Sequence, residues 1–271
     1  MEPVSIQIPP KVMAAMERNG TSSRLSMTAI DRERWLADQA NKRPGSLEGP
    51  DCPECLNRGF FFRVDDRGQR YTQECKCMAR RKSERNMARS GLTELLKRYT
   101  MENWEAREPW QKKLADMVHD YANNPSGWFL LSGTPGTGKT HLCTALCGML
   151  MERGMPARYM IWRDVSVRAK ACVNDEVEYQ ALIEPLKRVK VLYIDDLFKT
   201  GKGQQPTTGD VNLAFELINA RYNDSRLLTV ISSERSINEI LDIDEGVGSR
   251  IYERAKEYYA DLRGRKNWRM Q

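Results

Sequence analysis

Three groups of residues in this chain have types and spacing that can do chemistry. The first is GTPGTGKT, Gly133 to Thr140. Its glycines at 133, 136 and 138 let the backbone turn with N–H groups pointing inward, as a cradle for phosphate oxygens. Gly133, Gly138, Lys139 and Thr140 meet the spacing GxxxxGK[ST], with Thr134, Pro135 and Thr137 completing the loop and His141 following it. In that motif the Lys139 ammonium reaches the β- and γ-phosphates, the Thr140 hydroxyl ligates Mg²⁺, and the helix N-terminus behind the loop adds its positive dipole. The second group is the acidic pair in VLYIDD: Asp195 is read as holding Mg²⁺, directly or through water. Asp196 is read as polarising an attacking water, a role typically worth about 10²–10⁴ in rate. The third is CPEC, Cys52 and Cys55, followed by CKC, Cys75 and Cys77. Two paired knuckles can offer four thiolates to a tetrahedral Zn²⁺ with no open position, so the metal would be structural. The plainer readings are a glycine-rich bend, an acidic turn, and a redox pair or unpaired thiols.

Elements of the right kind must position these groups. Apolar runs alternate with amphipathic stretches from about Pro109. The pattern predicts strand 127–133, helix 139–154, strand 157–162, a helical stretch to about 186, strand 189–196, helix 209–223 and strand 227–233, then further helices and a short strand. Continuous apolar strands separated by helices indicate an α/β fold with a parallel sheet covered on both faces. The glycine loop thus follows a strand and opens a helix, with Leu142, Leu146, Met149 and Leu150 as its apolar stripe and Gly154 as its end. Asp195 emerges at the C-terminal end of its strand, read as a neighbour of the loop strand, where open α/β sheets place ligands.

The N-terminal third is organised differently. Met27, Ile30 and Trp35 fall on one broad helical face, and NKRPGSLEGP breaks it. The expected division is a helical or partly ordered arm over 1–49, a zinc-binding module over 50–78, a basic helical linker over 79–108 and the nucleotide-binding core over 109–271. Phe60, Phe61 and Phe62 are read as the small core of the cysteine module, with a stacking surface as the alternative.

Composition narrows the setting. The 271 residues are 40% hydrophobic and 30% charged, and no apolar run approaches the roughly 20 residues a bilayer span needs. With no signal-like N-terminus, the expectation is a cytoplasmic protein without a membrane partner. The net charge of +6 is local: eight basic residues between Lys76 and Arg98 face only Glu84 and Glu94. A stripe of that kind attracts polyanions, or forms a solvated helix face.

GTPGTGKT, LYIDDLF, the strand ending in ISSE, and GSRIYE, in that order, resemble the AAA+ ATPases of the DnaC/DnaI helicase-loader family, over roughly residues 50–271. The resemblance implies an ATP-regulated factor that binds a replicative hexameric helicase and helps place it on single-stranded DNA. It implies ATP with Mg²⁺ at the loop, and Arg250 as an arginine finger acting in a neighbouring subunit's site, hence a homo-oligomer. Such a finger is worth on the order of 10³–10⁵ in hydrolysis. The cysteine module is similar to the zinc-binding part of DnaI-like loaders, which contributes to helicase contact. Two departures point to slow hydrolysis: Glu234 stands where the family's sensor is usually Asn, and Asp196 where most AAA+ enzymes have Glu. The chain after Asp195 is too short for the usual helical lid domain, and Arg269 is the weak candidate for a second sensor. Arg163, Arg168, Lys170, Lys199 and Lys202 are the candidates for a DNA-facing channel. Alternatives are an IstB-like transposition helper and a nucleotide-binding adaptor with little hydrolysis.

Overall fold

The structure, a computed structural model, describes residues 28–88, 93–201 and 203–268, so Met27, Arg89, Lys202 and Arg269 lie outside the described residues. The chain forms two compact units that meet in sequence between Glu74 and Cys75. In the first, helix α1 (Ala29–Asn41) opens with a reciprocal capping box between Thr28 and Asp31. Strands β1 (Phe60–Val64) and β2 (Arg70–Glu74) form an antiparallel hairpin. Asn41, at the end of α1, fastens the helix to β1: its side-chain amide donates to the Phe62 carbonyl at 2.9 Å and accepts from the Phe62 N–H at 2.9 Å. Phe60 and Phe62, on one face of β1 by strand alternation, meet edge to face with ring centroids 5.3 Å apart. Arg58 lies 5.9 and 6.0 Å from those rings, and both phenylalanines are half-buried.

The second unit begins with α2 (Cys77–Ala88) and α3 (Thr93–Arg98). Arg81 is buried and Arg80 pairs with Glu84 at 3.0 Å, so the basic stripe is not one solvated face. Helix α4 (Pro109–Asn123) starts with Pro at a position where the missing N–H costs nothing. The remaining elements are β3 (Phe129–Ser132), α5 (Lys139–Glu152), β4 (Ala157–Ile161), α6 (Trp162–Ala171), α7 (Glu176–Arg188), β5 (Val191–Asp195), α8 (Thr208–Tyr222), β6 (Leu228–Ser233), α9 (Ile237–Ile243), α10 (Glu245–Ala255), a 3₁₀ turn (Lys256–Tyr258) and β7 (Tyr259–Asp261). The helical stretch expected between the second and third strands is two helices, because Asp175 caps a fresh start, accepting from Glu178 N–H at 3.0 Å.

The five strands β3 to β7 form a parallel sheet in the order β4-β5-β6-β3-β7. Strand alternation divides its side chains between two cores. Phe129, Leu131, Val191, Tyr193 and Val230 pack with the face of α4 and α5. Leu130, Leu192, Ile194 and Ile231 pack with α6 to α10. One expectation needs correction: β5, which carries Asp195, is not next to the loop strand β3. β6 pairs with both and lies between them, its own apolar run entering the sheet there.

Candidate functional site

The loop strand β3 ends at Ser132, and the backbone then passes through left-handed positions at Gly133 (φ 128°), Gly136 (φ 80°) and Gly138 (φ 92°) before α5 begins at Lys139. Only glycine occupies such positions without steric cost. The Lys139 ammonium donates to the carbonyls of Gly133 at 2.7 Å and Thr134 at 2.8 Å, which places it inside the loop's curve. Burial pulls its pKa down, while the carboxylates of Asp196 and Glu234 oppose that shift.

Asp195 lies buried at the end of β5 and gathers four donors. Tyr159 on β4 donates to Oδ2 at 2.8 Å and Tyr193 to Oδ1 at 2.8 Å; Ser232 on β6 also donates to Oδ1. The Thr140 hydroxyl approaches Oδ1 at 3.4 Å, so the two groups read as magnesium ligands stand side by side. Burial first, and nearby Asp195 among other groups, raise both tyrosines far above their ordinary pKa, which keeps them as donors. Ser232 also accepts from the Asp196 N–H at 2.9 Å.

Asp196 (φ 57°) takes a left-handed conformation just past the end of β5. Its Oδ2 meets the Lys199 ammonium at 2.7 Å, and the same ammonium meets Glu234 Oε1 at 2.8 Å. Burial raises the Asp196 pKa, with the Lys199 hydrogen bond opposing. A cleft of 430 Å³ brings Pro135 to His141 together with Asp196, Lys199 and Glu234. Tyr99, Asn103, Trp104, Arg107 and Trp268 close its other side. Trp104 packs so near Gly138 that a Cβ there would lie 2.7 Å from its ring, and Trp268 N–H donates to the Gly136 carbonyl at 3.0 Å. His141 is a structural link in this wall. Its Nε2 lies 2.8 Å from the Thr100 carbonyl, which can only accept, so Nε2 carries the proton.

The predicted loop residues, Asp195, Asp196 and Glu234 are thus assembled in one place. Arg250 is not among the residues lining this cleft. It sits on α10, donates to the Gly246 carbonyl at 2.8 Å, and lies over the rings of Phe215 and Tyr222 at 5.2 and 5.5 Å. Lys199, expected among DNA contacts, belongs to the cleft instead, and Lys170 is engaged by Asp210 at 2.8 Å. Arg163 and Arg168 remain exposed on α6. Sequence reasoning missed Tyr159, Tyr193, Ser232 and the aromatic wall. Tyr193 had a signal, since it stands two residues before Asp195 and must share its face of the strand.

Around the hairpin, the four sulfur atoms of Cys52, Cys55, Cys75 and Cys77 all lie within 4.8 Å of one another. A tetrahedral zinc with bonds of about 2.3 Å spaces its sulfurs by roughly 3.8 Å, so this donor set suits such an ion. Leu56 and Asn57 adopt left-handed conformations after CPEC, and Gly59 N–H donates to Cys55 Sγ at 3.3 Å, a contact that favours the thiolate.

Fold and site together define a P-loop nucleotide-binding protein of the AAA+ class. Residues 69–249 match the family described as IstB-like ATP binding protein, and the chain belongs to that family, the IstB/DnaC-like AAA+ proteins. Among relatives, the uncharacterized protein YqaM of Bacillus subtilis is 32% identical over 72% of this chain and 64% of its own length. The phage-like element PBSX protein XkdC of the same organism is 29% identical over 86% of this chain and 89% of its own. The replicative helicase loader DnaC of Escherichia coli K12 is 25% identical over 65% of this chain and 70% of its own. The match thus spans less than two thirds of YqaM's length. A crystal structure of the DnaC helicase loader shares the fold with TM-score 0.52 and 21% identity, over 61% of this chain and 96% of that one. AMPPCP-bound DnaA from Aquifex aeolicus does so with TM-score 0.51 and 20% identity, over 64% of this chain and 52% of that one. No helix among the described residues is long and apolar enough to cross a membrane.

Proposed function

We propose that this protein is an ATP-dependent helicase loader: it binds a replicative hexameric helicase and places it on single-stranded DNA, with slow ATP hydrolysis as the switch. The observation that carries the reading is the cleft in which the glycine loop, Lys139 and Thr140 meet Asp196 and Glu234, with Asp195 buried beside the Thr140 hydroxyl, in a chain homologous to DnaC loaders. The loop N–H groups and Lys139 hold the phosphates, Thr140 and Asp195 hold Mg²⁺, and Asp196 orients the attacking water. The bound ion neutralises charge on the phosphates. Asp196 reaches one methylene less far than a glutamate would, and Glu234 stands at the sensor position, both of which favour slow turnover.

Zinc on the four cysteines ties the two knuckles together, in a module with too small a core to be stable otherwise. That module supplies contact with the helicase. Arg163 and Arg168 are the exposed cations suited to the DNA backbone, and Arg250 completes the site of a neighbouring copy in an oligomer. One further reading is a helper ATPase for a transposase, which the match to the family described as IstB-like ATP binding protein keeps in view. Complex mass separates them: the full chain is mixed with the source's replicative helicase, with and without ATP and Mg²⁺. The loader reading expects a complex that changes with nucleotide and weakens in the Cys75→Ser, Cys77→Ser variant. No complex under any condition would transfer the reading to transposases.

A further inference from the structure

Lys199 bridges two carboxylates of the nucleotide cleft, and its position is built rather than incidental. The turn that carries it leaves β5 through left-handed Asp196 and Phe198, two of the four non-glycine residues with positive φ among the described residues. Such conformations are costly for residues with a side chain and persist only where the surroundings impose them. Here they do. Phe198 is fully buried with its ring 5.4 Å from Trp162, Ser233 donates to the Leu197 carbonyl at 2.8 Å, and Arg235 donates to the Phe198 carbonyl at 3.2 Å. The same β6 end accepts from the first loop residue, Gly133 N–H to the Ser233 carbonyl at 3.1 Å, so Glu234 and the phosphate loop are held in one frame. The Lys199 side chain is 39% exposed and lines the same cleft as the loop.

We propose that Lys199 and Glu234 form a triphosphate-sensing pair, in which the Lys199 ammonium exchanges the Asp196 carboxylate for the terminal phosphate of the nucleotide while Glu234 keeps hold of it. This rests on the ATP-site reading above. An ammonium shared by two carboxylates has one contact to give up when a more highly charged oxyanion arrives, and Asp196, the water-orienting group, is the one released. A diphosphate reaches less far and leaves the Asp196–Lys199 contact in place. An ion pair thereby does the work assigned to a neutral sensor side chain, and it couples the presence of the third phosphate to the freeing of the base.

The test measures dissociation constants for Mg²⁺ with ADP and with a β,γ-non-hydrolysable ATP analogue by calorimetry, using the full chain and its K199M, K199R and E234Q variants. K199M is expected to lose about 10-fold or more in analogue affinity while ADP affinity stays within about 2-fold, the loss of one charge-assisted contact. K199R should retain the preference for the triphosphate, and E234Q should fall between. The unchanged ADP affinity also reports that K199M is folded. Equal loss for both ligands would make Lys199 a structural ion pair and overturn the proposal. An unchanged preference for the triphosphate in K199M would do so as well, because the ammonium would then make no contact with the third phosphate. Failure of the unaltered chain to bind either nucleotide would instead remove the ATP-site reading, and the pair's role with it.

Discussion

Lys139 and Asp195 are each held in place by neighbouring polar groups. The ammonium of Lys139 is poised on two loop carbonyls, so Lys139→Ala should abolish ATP affinity in a direct binding measurement; retained binding would put the phosphates elsewhere. Asp196→Asn should preserve binding and lower turnover by roughly 10²-fold or more, the usual weight of a positioned base. Unchanged turnover would mean that water is oriented by another group. Asp195 is aimed by hydroxyls from three strands. Removing an outer partner of a metal ligand typically costs about 10-fold or more in metal affinity, and Asp195 is proposed as such a ligand. Tyr159→Phe is therefore expected to raise the Mg²⁺ concentration needed for tight ATP binding by about that factor, with Mg²⁺-free nucleotide binding unaffected. An unchanged Mg²⁺ requirement would reduce the tyrosine to packing.

At the scale of elements, the loop functions because the pieces on either side of it end where they should. Helix α5 closes in a Schellman arrangement: Met155 N–H donates to the Leu150 carbonyl at 3.1 Å and Gly154 N–H to the Met151 carbonyl at 2.8 Å, with Gly154 at φ 80°. A side chain in that conformation costs about 1–2 kcal/mol. Gly154→Ala should lower the thermal midpoint accordingly while leaving ATP affinity intact, and an unchanged midpoint would show the cap to be replaceable. The helix is buried nearly all round, Leu142, Cys143, Leu146, Cys147 and Leu150 all lying inside. A single apolar stripe therefore understates how firmly it holds the phosphate loop. The insertion of β6 between β3 and β5 is what lets Ser232 reach Asp195 and places Glu234 beside the loop.

For the whole molecule, two predictions concern metal and assembly. Metal analysis of the full chain should find about one zinc per chain, lost in the Cys75→Ser, Cys77→Ser variant, as four thiolates within reach of one ion require. A chain without zinc would leave the cluster as thiols alone. Arg250 does not line the cleft of its own chain, so mixtures of Arg250→Ala with Lys139→Ala subunits should regain part of the lost turnover at shared interfaces. Complete failure to complement would argue against action in a neighbouring site. Much of this was legible in the sequence, because local spacing carries local chemistry. The glycines and Lys139 specify a left-handed loop with an inward ammonium, the cysteine pairs specify a cluster of four thiols that could hold a metal, and the apolar runs specify strands buried on both faces. Tertiary structure alone decided which side chains meet across the sheet. The strand order brings Tyr159, Tyr193 and Ser232 onto Asp195, and a buried left-handed turn swings Lys199 between Asp196 and Glu234. Those contacts join residues up to 37 positions apart, and no periodicity records them: register and strand order are set by the packing of whole elements, not by the residues that come to touch.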